Sequence, residues 1–254
     1  MSVHISYPSQ RIALVTIDNE AKRNALGIPE FEGLVSAWNH IEQQPEIRCV
    51  VVTGSGETAF CSGAQLDVDF SARNDIDDLV DAALLKTRIF PKPVIAAING
   101  HCVAGGFELM LSCDLRLASA DALLGLPEVR WGIFPSGGGA MKLIEQIGFA
   151  HTMELLLTGS LISSEKALQL GLVNRVVGRA DVLPQSLALA DSIAQNSPLA
   201  VQLARIAAFG MRVQRWNELE PNERRSARVM RRSIDHKLGV SAFLQKQRPD
   251  YPDI

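Results

Sequence analysis

The 254-residue chain is 47 % hydrophobic and 21 % charged, which is enough apolar sequence for one large domain, or a domain with a smaller appendage, and excludes a disordered or coiled-coil chain. Its 25 Lys and Arg against 28 Asp and Glu leave a net charge of −3, so no global attraction draws it to nucleic acid or an anionic membrane.

From the N-terminus, Met1 to Pro8 shows no basic segment followed by an apolar core, and no later apolar run reaches the roughly 20 residues that span a bilayer. A soluble chain without a visible targeting signal is expected. Ile12, Leu14, Val15 and Ile17 read as a strand over Arg11–Ile17, stopped by Asp18-Asn19-Glu20. Phe31, Leu34, Val35, Trp38 and Ile41 recur at helical steps and predict a helix over about Pro29–Gln44. Cys49-Val50-Val51-Val52 reads as a buried strand closed by Gly54-Ser55-Gly56. A helix over about Ile76–Ile89 leads through Pro91-Lys92-Pro93 into a second buried strand, Val94–Ile98. Phe107–Cys113 reads as a buried helix and Leu115–Ala118 as a short strand. Beyond Pro135 the pattern is helical over Met141–Ile147, Thr152–Leu157, Ser164–Leu170, Val182–Gln195 and Leu199–Gly210, with one strand at Val173–Val177. The β–α alternation predicts an α/β body to about residue 197, sheet covered by helices, followed by an all-helical tail over 198–254.

Four cysteines, Cys49, Cys61, Cys102 and Cys113, lie among apolar neighbours without C-x-x-C spacing. Neither a zinc site nor a disulfide framework is signalled, and a reduced cytoplasmic chain fits.

Three groups of residues carry possible chemistry. Gly54-Ser55-Gly56-Glu57-Thr58-Ala59 matches G-x-G-x-x-A after a strand, with Asp75 about 20 residues on, as a dinucleotide fold would want. Phe60-Cys61-Ser62-Gly63 follows, however, and is too rich in turn formers to be a phosphate-binding helix, so the stretch is read as a turn. P-loop and nucleophile-elbow patterns are absent from the sequence. The glycine-flanked turns Cys61-Ser62-Gly63-Ala64 and Val103-Ala104-Gly105-Gly106, the second at a helix start, could point two backbone amides at an anion or simply allow tight packing. Glu108 and Glu128 sit in the apolar surroundings Gly106-Phe107-Glu108-Leu109 and Leu126-Pro127-Glu128-Val129. Each alone reads as a first-turn or surface acid. Brought to one cavity, like charges would push one pKa up and make an acid and a base of the same residue type.

Asn19–Leu26, Phe60–Leu66, Lys92–Asp114, Gly125–Gly139 and Phe243–Pro249 agree in order and spacing with motifs of the crotonase (enoyl-CoA hydratase/isomerase) superfamily, which the chain resembles over nearly its whole length. The resemblance implies a spiral of ββα turns followed by a C-terminal helical trimerisation region. It implies a site for acyl-CoA thioesters, with the amides of Ala64 and Gly105 as the oxyanion hole. The activity implied is hydration of a 2-enoyl-CoA in fatty-acid or related acyl-CoA breakdown, such as β-oxidation, with Glu108 and Glu128 catalytic. An isomerase, or a hydratase or dehydratase of a specialised acyl group such as carnitinyl-CoA, is the alternative. It also implies that Lys22, Arg23, Phe243 and Lys246 contact CoA, the last two in a neighbouring subunit, and that Phe107 and Trp131 line the acyl pocket. No metal or redox cofactor is implied, coenzyme A being part of the substrate, and the partners expected are that substrate and copies of the chain in a trimer or a dimer of trimers.

The chain departs from the family at Gln65, where many relatives have an acid, and at Ala104-Gly105-Gly106-Phe107. The segment Val68–Ile89, which shapes the acyl pocket in the family, carries no readable chain-length code. From a different class comes a nucleic-acid or scaffold role for the stripe Arg224, Arg225, Arg228, Arg231 and Arg232. The overall acidity and the lack of interleaved aromatics favour a solvated or subunit-contacting face instead.

Overall fold

A computed structural model describes residues 2–70 and 73–253; Met1, Ser71, Ala72 and Ile254 lie outside the described residues, two of them within the segment expected to shape the acyl pocket. The chain opens with a hairpin in which β1 (Val3–Ser9) pairs antiparallel with β2 (Ile12–Ile17). Sequence reading misses β1 because it is an edge strand, mostly exposed and carrying Pro8, so its apolar alternation is too thin to register. After α1 (Ile28–Glu42) the chain repeats one motif three times. β3 (Cys49–Gly54) and β4 (Ala59–Cys61) lead to α2 (Ile76–Ala83); β5 (Val94–Ile98) and β6 (His101–Val103) lead to α3 (Gly105–Ser112); β7 (Leu115–Ser119) and β8 (Leu123–Gly125) lead through the 3-10 turn Glu128–Trp131 to α4 (Gly139–Thr158).

In each turn the first strand joins one sheet and the second joins another. β3, β5 and β7 run parallel in a six-stranded sheet, and β4, β6 and β8 run parallel in a four-stranded one. This is the expected spiral of ββα turns. β9 (Ile162–Ser163), α5 (Ser164–Gln169), β10 (Arg175–Val177) and α6 (Arg179–Ala194) complete the two sheets and cover the larger one. The helices α7 (Pro198–Arg232) and α8 (Ile234–Leu244) follow.

The near-continuous apolar runs of the central strands follow from burial on both faces. Val50, Val52, Val94, Ala96 and Ile98 enter the main core, while Cys49, Val51, Ile95 and Ala97 enter a second cluster beneath Val182 and Ala190 of α6. The period-two alternation therefore sorts one strand between two cores. Two expected helices, Met141–Ile147 and Thr152–Leu157, are halves of α4, divided where Gly148 takes φ 75 and ψ 173. The helix expected over Ile76–Ile89 ends early, at Ala83. There Leu85 takes φ 50, its amide bonds Ala82 O, and the Lys86 amide bonds Asp81 O, a Schellman stop without the usual glycine.

Arg116, on β7, is the main polar support of α3. Its guanidinium is buried and donates to four backbone carbonyls: Met110 O at 2.8 Å, Leu111 O at 3.3 Å, Cys113 O at 2.9 Å and Leu172 O at 3.1 Å. A cation on the last carbonyls of a helix suits the negative end of its dipole. Arg116→Met should cost about 3 kcal/mol or more, because it leaves several buried acceptors unpaired. A denaturant midpoint equal to that of the parent would show that water replaces the guanidinium.

Candidate active site

The site begins where the ends of β4 and β6 lie side by side. A methyl group built on Gly106 would come within 2.6 Å of the Cβ and carbonyl oxygen of Cys61, and one on Gly63 (φ 90) within 2.5 Å of the Ala104 Cβ. Only glycine lets these two turns touch. Ala104 itself takes φ 52 and ψ −128, a strained geometry for a residue with a side chain, fixed by Ala104 N donating to Gly125 O at 3.0 Å. It aims the first amide of α3, that of Gly105, to the side where the exposed Ala64 lies, and a Cβ on Gly105 would be 3.9 Å from Ala64 N. Neither amide has an acceptor among the described residues. Two free donors, one of them at a helix N-terminus, form a place where developing negative charge is stabilised.

One turn into α3, Glu108 points inward and is 4 % exposed. Its Oε1 accepts from Gly139 N at 2.9 Å. Burial pushes its pKa up to about 8, and the nearby Glu223 carboxylate adds to this, while the Gly139 and Gly137 amides and Lys86 oppose it. Glu128 opens the 3-10 turn after Pro127 and is 6 % exposed. Its Oε2 is buried without a hydrogen-bond partner among the described residues. Burial and then the charge of Glu108 raise its pKa well above the usual carboxylate range. The structure thus brings the two acids singled out in the sequence into electrical contact in a dry setting, where one can be held protonated and the other can accept a proton.

Around them, Lys22 Nζ donates to Gln65 Oε1 and Asp67 Oδ2, both at 2.9 Å, next to Ala64. Gln65 Nε2 in turn donates to Glu30 Oε2 at 3.1 Å, and that carboxylate already caps α1 through Gly27 N at 2.7 Å. The departure at Gln65 therefore has a reason: an acid there would face the Glu30 carboxylate. Arg23, at φ 54, is exposed.

Phe243 stacks edge-on against Trp131 of its own chain at 5.1 Å between ring centroids, and with Lys246, Arg130 and Tyr251 it lines a cleft of about 1010 Å³. α8 and the segment after it hold the Glu128–Trp131 turn: His236 Nδ1 of α8 lies 3.0 Å from Gly132 O, and Tyr251 OH, beyond α8, donates to Arg130 O at 3.1 Å.

Several expectations change. Phe107, expected at the acyl pocket, is fully buried and packs in the main core. Trp131 is half-buried under Phe243. The glycine-rich turn is closed by protein groups, with Asn99 Nδ2 donating to Gly54 O and Gly56 O, and a strand follows it. Asp75 pairs with Arg73. The turn reading holds. In the arginine stripe, Arg224 pairs with Asp78, Asp81 and Glu220, and Arg228 and Arg231 pair with Asp77, so most of that charge is spent on α2 and α7.

Sequence reading missed three buried charges behind Glu108: Lys86, Lys142 and Glu223. Lys86 follows Leu84-Leu85 and Lys142 lies between Met141 and Leu143, the same signal of a charge in an apolar run that identified Glu108.

The family model described as enoyl-CoA hydratase/isomerase matches residues 8–253. The chain is 34 % identical to a putative enoyl-CoA hydratase/isomerase of Bacillus subtilis, covering 100 % of this chain and 99 % of that one. It is also 34 % identical to the 2,3-dehydroadipyl-CoA hydratase of Escherichia coli, with 99 % of each covered. Among solved structures, a carnitinyl-CoA dehydratase from Mycobacterium avium superposes with a TM-score of 0.91 at 34 % identity, covering 100 % of this chain and 99 % of that chain.

A carboxyl whose folded pKa is raised binds its proton more tightly in the native state, so its favourable contribution is full below the unfolded pKa and is lost as pH climbs through about 8. Glu108→Gln should therefore melt at a higher temperature than the parent at pH 9, by several degrees, with the difference shrinking toward pH 5. Equal melting shifts at both pH values would mean that Glu108 is solvated.

Proposed function

The chain belongs to the enoyl-CoA hydratase/isomerase family, and from that premise we propose that it is an enoyl-CoA hydratase, adding water across the 2,3 double bond of a 2-enoyl-CoA thioester. The observation that carries this reading is the pair of buried carboxylates, one with an unpartnered oxygen, beside two free backbone amides. The thioester oxygen sits between the amides of Ala64 and Gly105. Glu108, ionised, takes a proton from water as the water oxygen bonds to the β-carbon. The π electrons move to the thioester oxygen, and Glu128, kept protonated by burial, returns a proton to the α-carbon. An oxyanion donor of this kind is worth about 2.7–4 kcal/mol of barrier, and each acid or base about 10²–10⁴ in rate. The amides themselves activate the thioester, so the reading needs no metal or redox cofactor, and coenzyme A arrives as part of the substrate. Lys22 and Arg23, beside the Ala64 turn, are placed to meet CoA phosphates once Lys22 releases Asp67, and Phe243, Lys246 and Trp131 form a second wall.

A role in fatty-acid or related acyl-CoA breakdown in the cytoplasm belongs to the same proposal. All four cysteines are buried free thiols, the state a reducing compartment maintains. The ion pairs of the arginine stripe weigh against nucleic acid as partner. Among the described residues no helix is long and apolar enough to cross a membrane. A homo-oligomer, a trimer or a dimer of trimers, would cover Leu199, Leu203 and Ile206, exposed at helical spacing on α7. A specialised acyl group is the second reading, favoured by the name of the mycobacterial carnitinyl-CoA dehydratase structure.

Purified protein given crotonyl-CoA and a longer 2-enoyl-CoA should consume the conjugated thioester absorbance and yield a product one water heavier. Glu108→Gln and Glu128→Gln should each lower turnover by about 10²–10⁴ without unfolding. Near-normal rates in both variants would overturn the assignment, and a product of unchanged mass with a moved double bond would make the enzyme an isomerase. Sedimentation should give at least three copies; a monomer would remove the oligomer from the proposal.

A further inference from the structure

The buried side of Glu108 holds a cluster that the hydration reading does not use. Gly137, Gly138 and Gly139 form the turn before α4, and three charged side chains press on it. A methyl built on Gly137 would lie 2.5 Å from Glu108 Oε2, and one on Gly139 3.1 Å from Oε1 of the same carboxylate; one on Gly138 would lie 3.2 Å from Lys86 Cγ and 3.3 Å from Lys142 Cε. The turn is a thin backbone partition, with the carboxylate on two of its edges and both lysines against its middle.

The two lysines differ in how they are satisfied. Lys86 faces Asp81 at 3.4 Å, Glu220 at 3.5 Å and Glu223 at 3.5 Å, so its charge is compensated. Lys142 is fully buried and has no acid within 4 Å among the described residues. Its Nζ donates to Ser112 Oγ at 2.5 Å and Leu85 O at 3.3 Å and lies 5.1 Å from the centroid of the Trp216 ring. Ser112 Oγ is 3.1 Å from Glu108 O, so the ammonium is anchored to the helix that carries the carboxylate. A buried ammonium without an ion pair is costly and persists in a fold only where something else requires it.

We propose that Lys142 is a positioning residue for Glu108: its ammonium, held by Ser112 behind the Gly137–Gly139 turn, favours the ionised carboxylate that takes the proton from water, and Glu223 opposes it. This rests on the hydratase reading for its purpose, though not for its electrostatics. The groups facing Glu108 are Glu128 from the 3-10 turn, Lys86 from the loop after α2, Lys142 from α4 and Glu223 from α7. Asp81 and Glu220 face Lys86, and Cys113 lies near Lys142. Burial lowers the Lys142 pKa to about 7, and Glu108 is the foremost charge raising it back, ahead of Glu223. The influence is reciprocal, so whatever fraction of Lys142 is charged must favour ionised Glu108.

The test uses the full chain, crotonyl-CoA as substrate and the variants Lys142→Met and Glu223→Gln. The acid limb of the kcat/KM profile reports ionisation of Glu108 in the free enzyme. Lys142→Met should move that limb up, with the loss of activity largest near and below neutrality, where Lys142 is charged, and recovering as pH rises. Glu223→Gln should move it down. Opposite displacements from two substitutions in one buried cluster are not what a packing defect produces. In parallel, the carboxyl stretch of Glu108, taken from the infrared difference between parent and Glu108→Gln, should titrate with the same displacements and needs no turnover. Limbs and infrared titrations unmoved in both variants would overturn the proposal. If Lys142→Met does not fold, an unmoved titration in Glu223→Gln overturns it and a downward one supports it. A parent chain that hydrates no enoyl-CoA would refute the hydratase reading, leaving the infrared titration to decide this one.

Discussion

The close approach of two glycine turns governs the rest of the structure. Gly63 and Gly106 allow the ends of β4 and β6 to come within a distance no Cβ tolerates, and the spiral exists, mechanically, to make that approach. Each ββα turn gives its first strand to the large sheet and its second to the small one, so β4 and β6 are neighbours although 39 residues lie between Cys61 and His101. The strain at Ala104 is the local cost of pointing the Gly105 amide outward, and the contacts of Arg116 with the Met110, Leu111 and Cys113 carbonyls hold α3 at the other end. The amide at the helix start and the carboxylate one turn later are thereby fixed by a single rigid element.

That element carries its function at the expense of stability. Glu108, Glu128 and Lys142 are each buried with pKa values displaced toward neutrality or beyond, and Glu128 Oε2 has no partner among the described residues. In a chain selected for stability alone, apolar residues of similar volume would fill these positions. The displacements run in the direction that proton transfer needs. Amides and a lysine restrain the rise at Glu108, whereas Glu128 has burial and the charge of Glu108 raising it and only its own amide opposing. Two residues of one type are thus given different proton affinities by their surroundings.

How much of this was legible depended on length and on locality. The strands Ile12–Ile17, Cys49–Gly54 and Val94–Ile98 were readable because each is long enough for a run of Val, Ile and Ala to stand out. β4, β6, β8 and β9 have two or three residues apiece and offer no period to detect. Glu108 and Glu128 could be read because a carboxylate in an apolar run is anomalous by itself, whereas their mutual influence, and the unpartnered Oε2, exist only once 20 residues of chain are folded back. For Phe107 sequence shows an apolar residue on a helix and not how deeply it is buried, and the structure packs it in the main core. The arginine stripe was a true feature of α7, but its neutralisation by Asp77, Asp78 and Asp81 of α2 is a contact over some 145 residues that no local pattern records.

The C-terminal helices show why composition divides this chain differently from its chemistry. The shift to helical periodicity near residue 198 suggests an appendage, and α7 does begin at Pro198 with Ser197 as its cap. Yet Arg205 of α7 pairs with Asp114 at 2.8 Å, Trp216 sits over Lys142, and Glu223 lies in the cluster behind Glu108. α8 closes the circuit by packing on the turn that carries Glu128. Glu108 thus has α7 behind it and Glu128 has α8 against the turn that carries it. Removing the helices would expose the cluster to water and relax the desolvation that raises both carboxyl pKa values even if Ala64, Gly105, Glu108 and Glu128 kept their places. The helical tail is part of the site because it keeps the site dry.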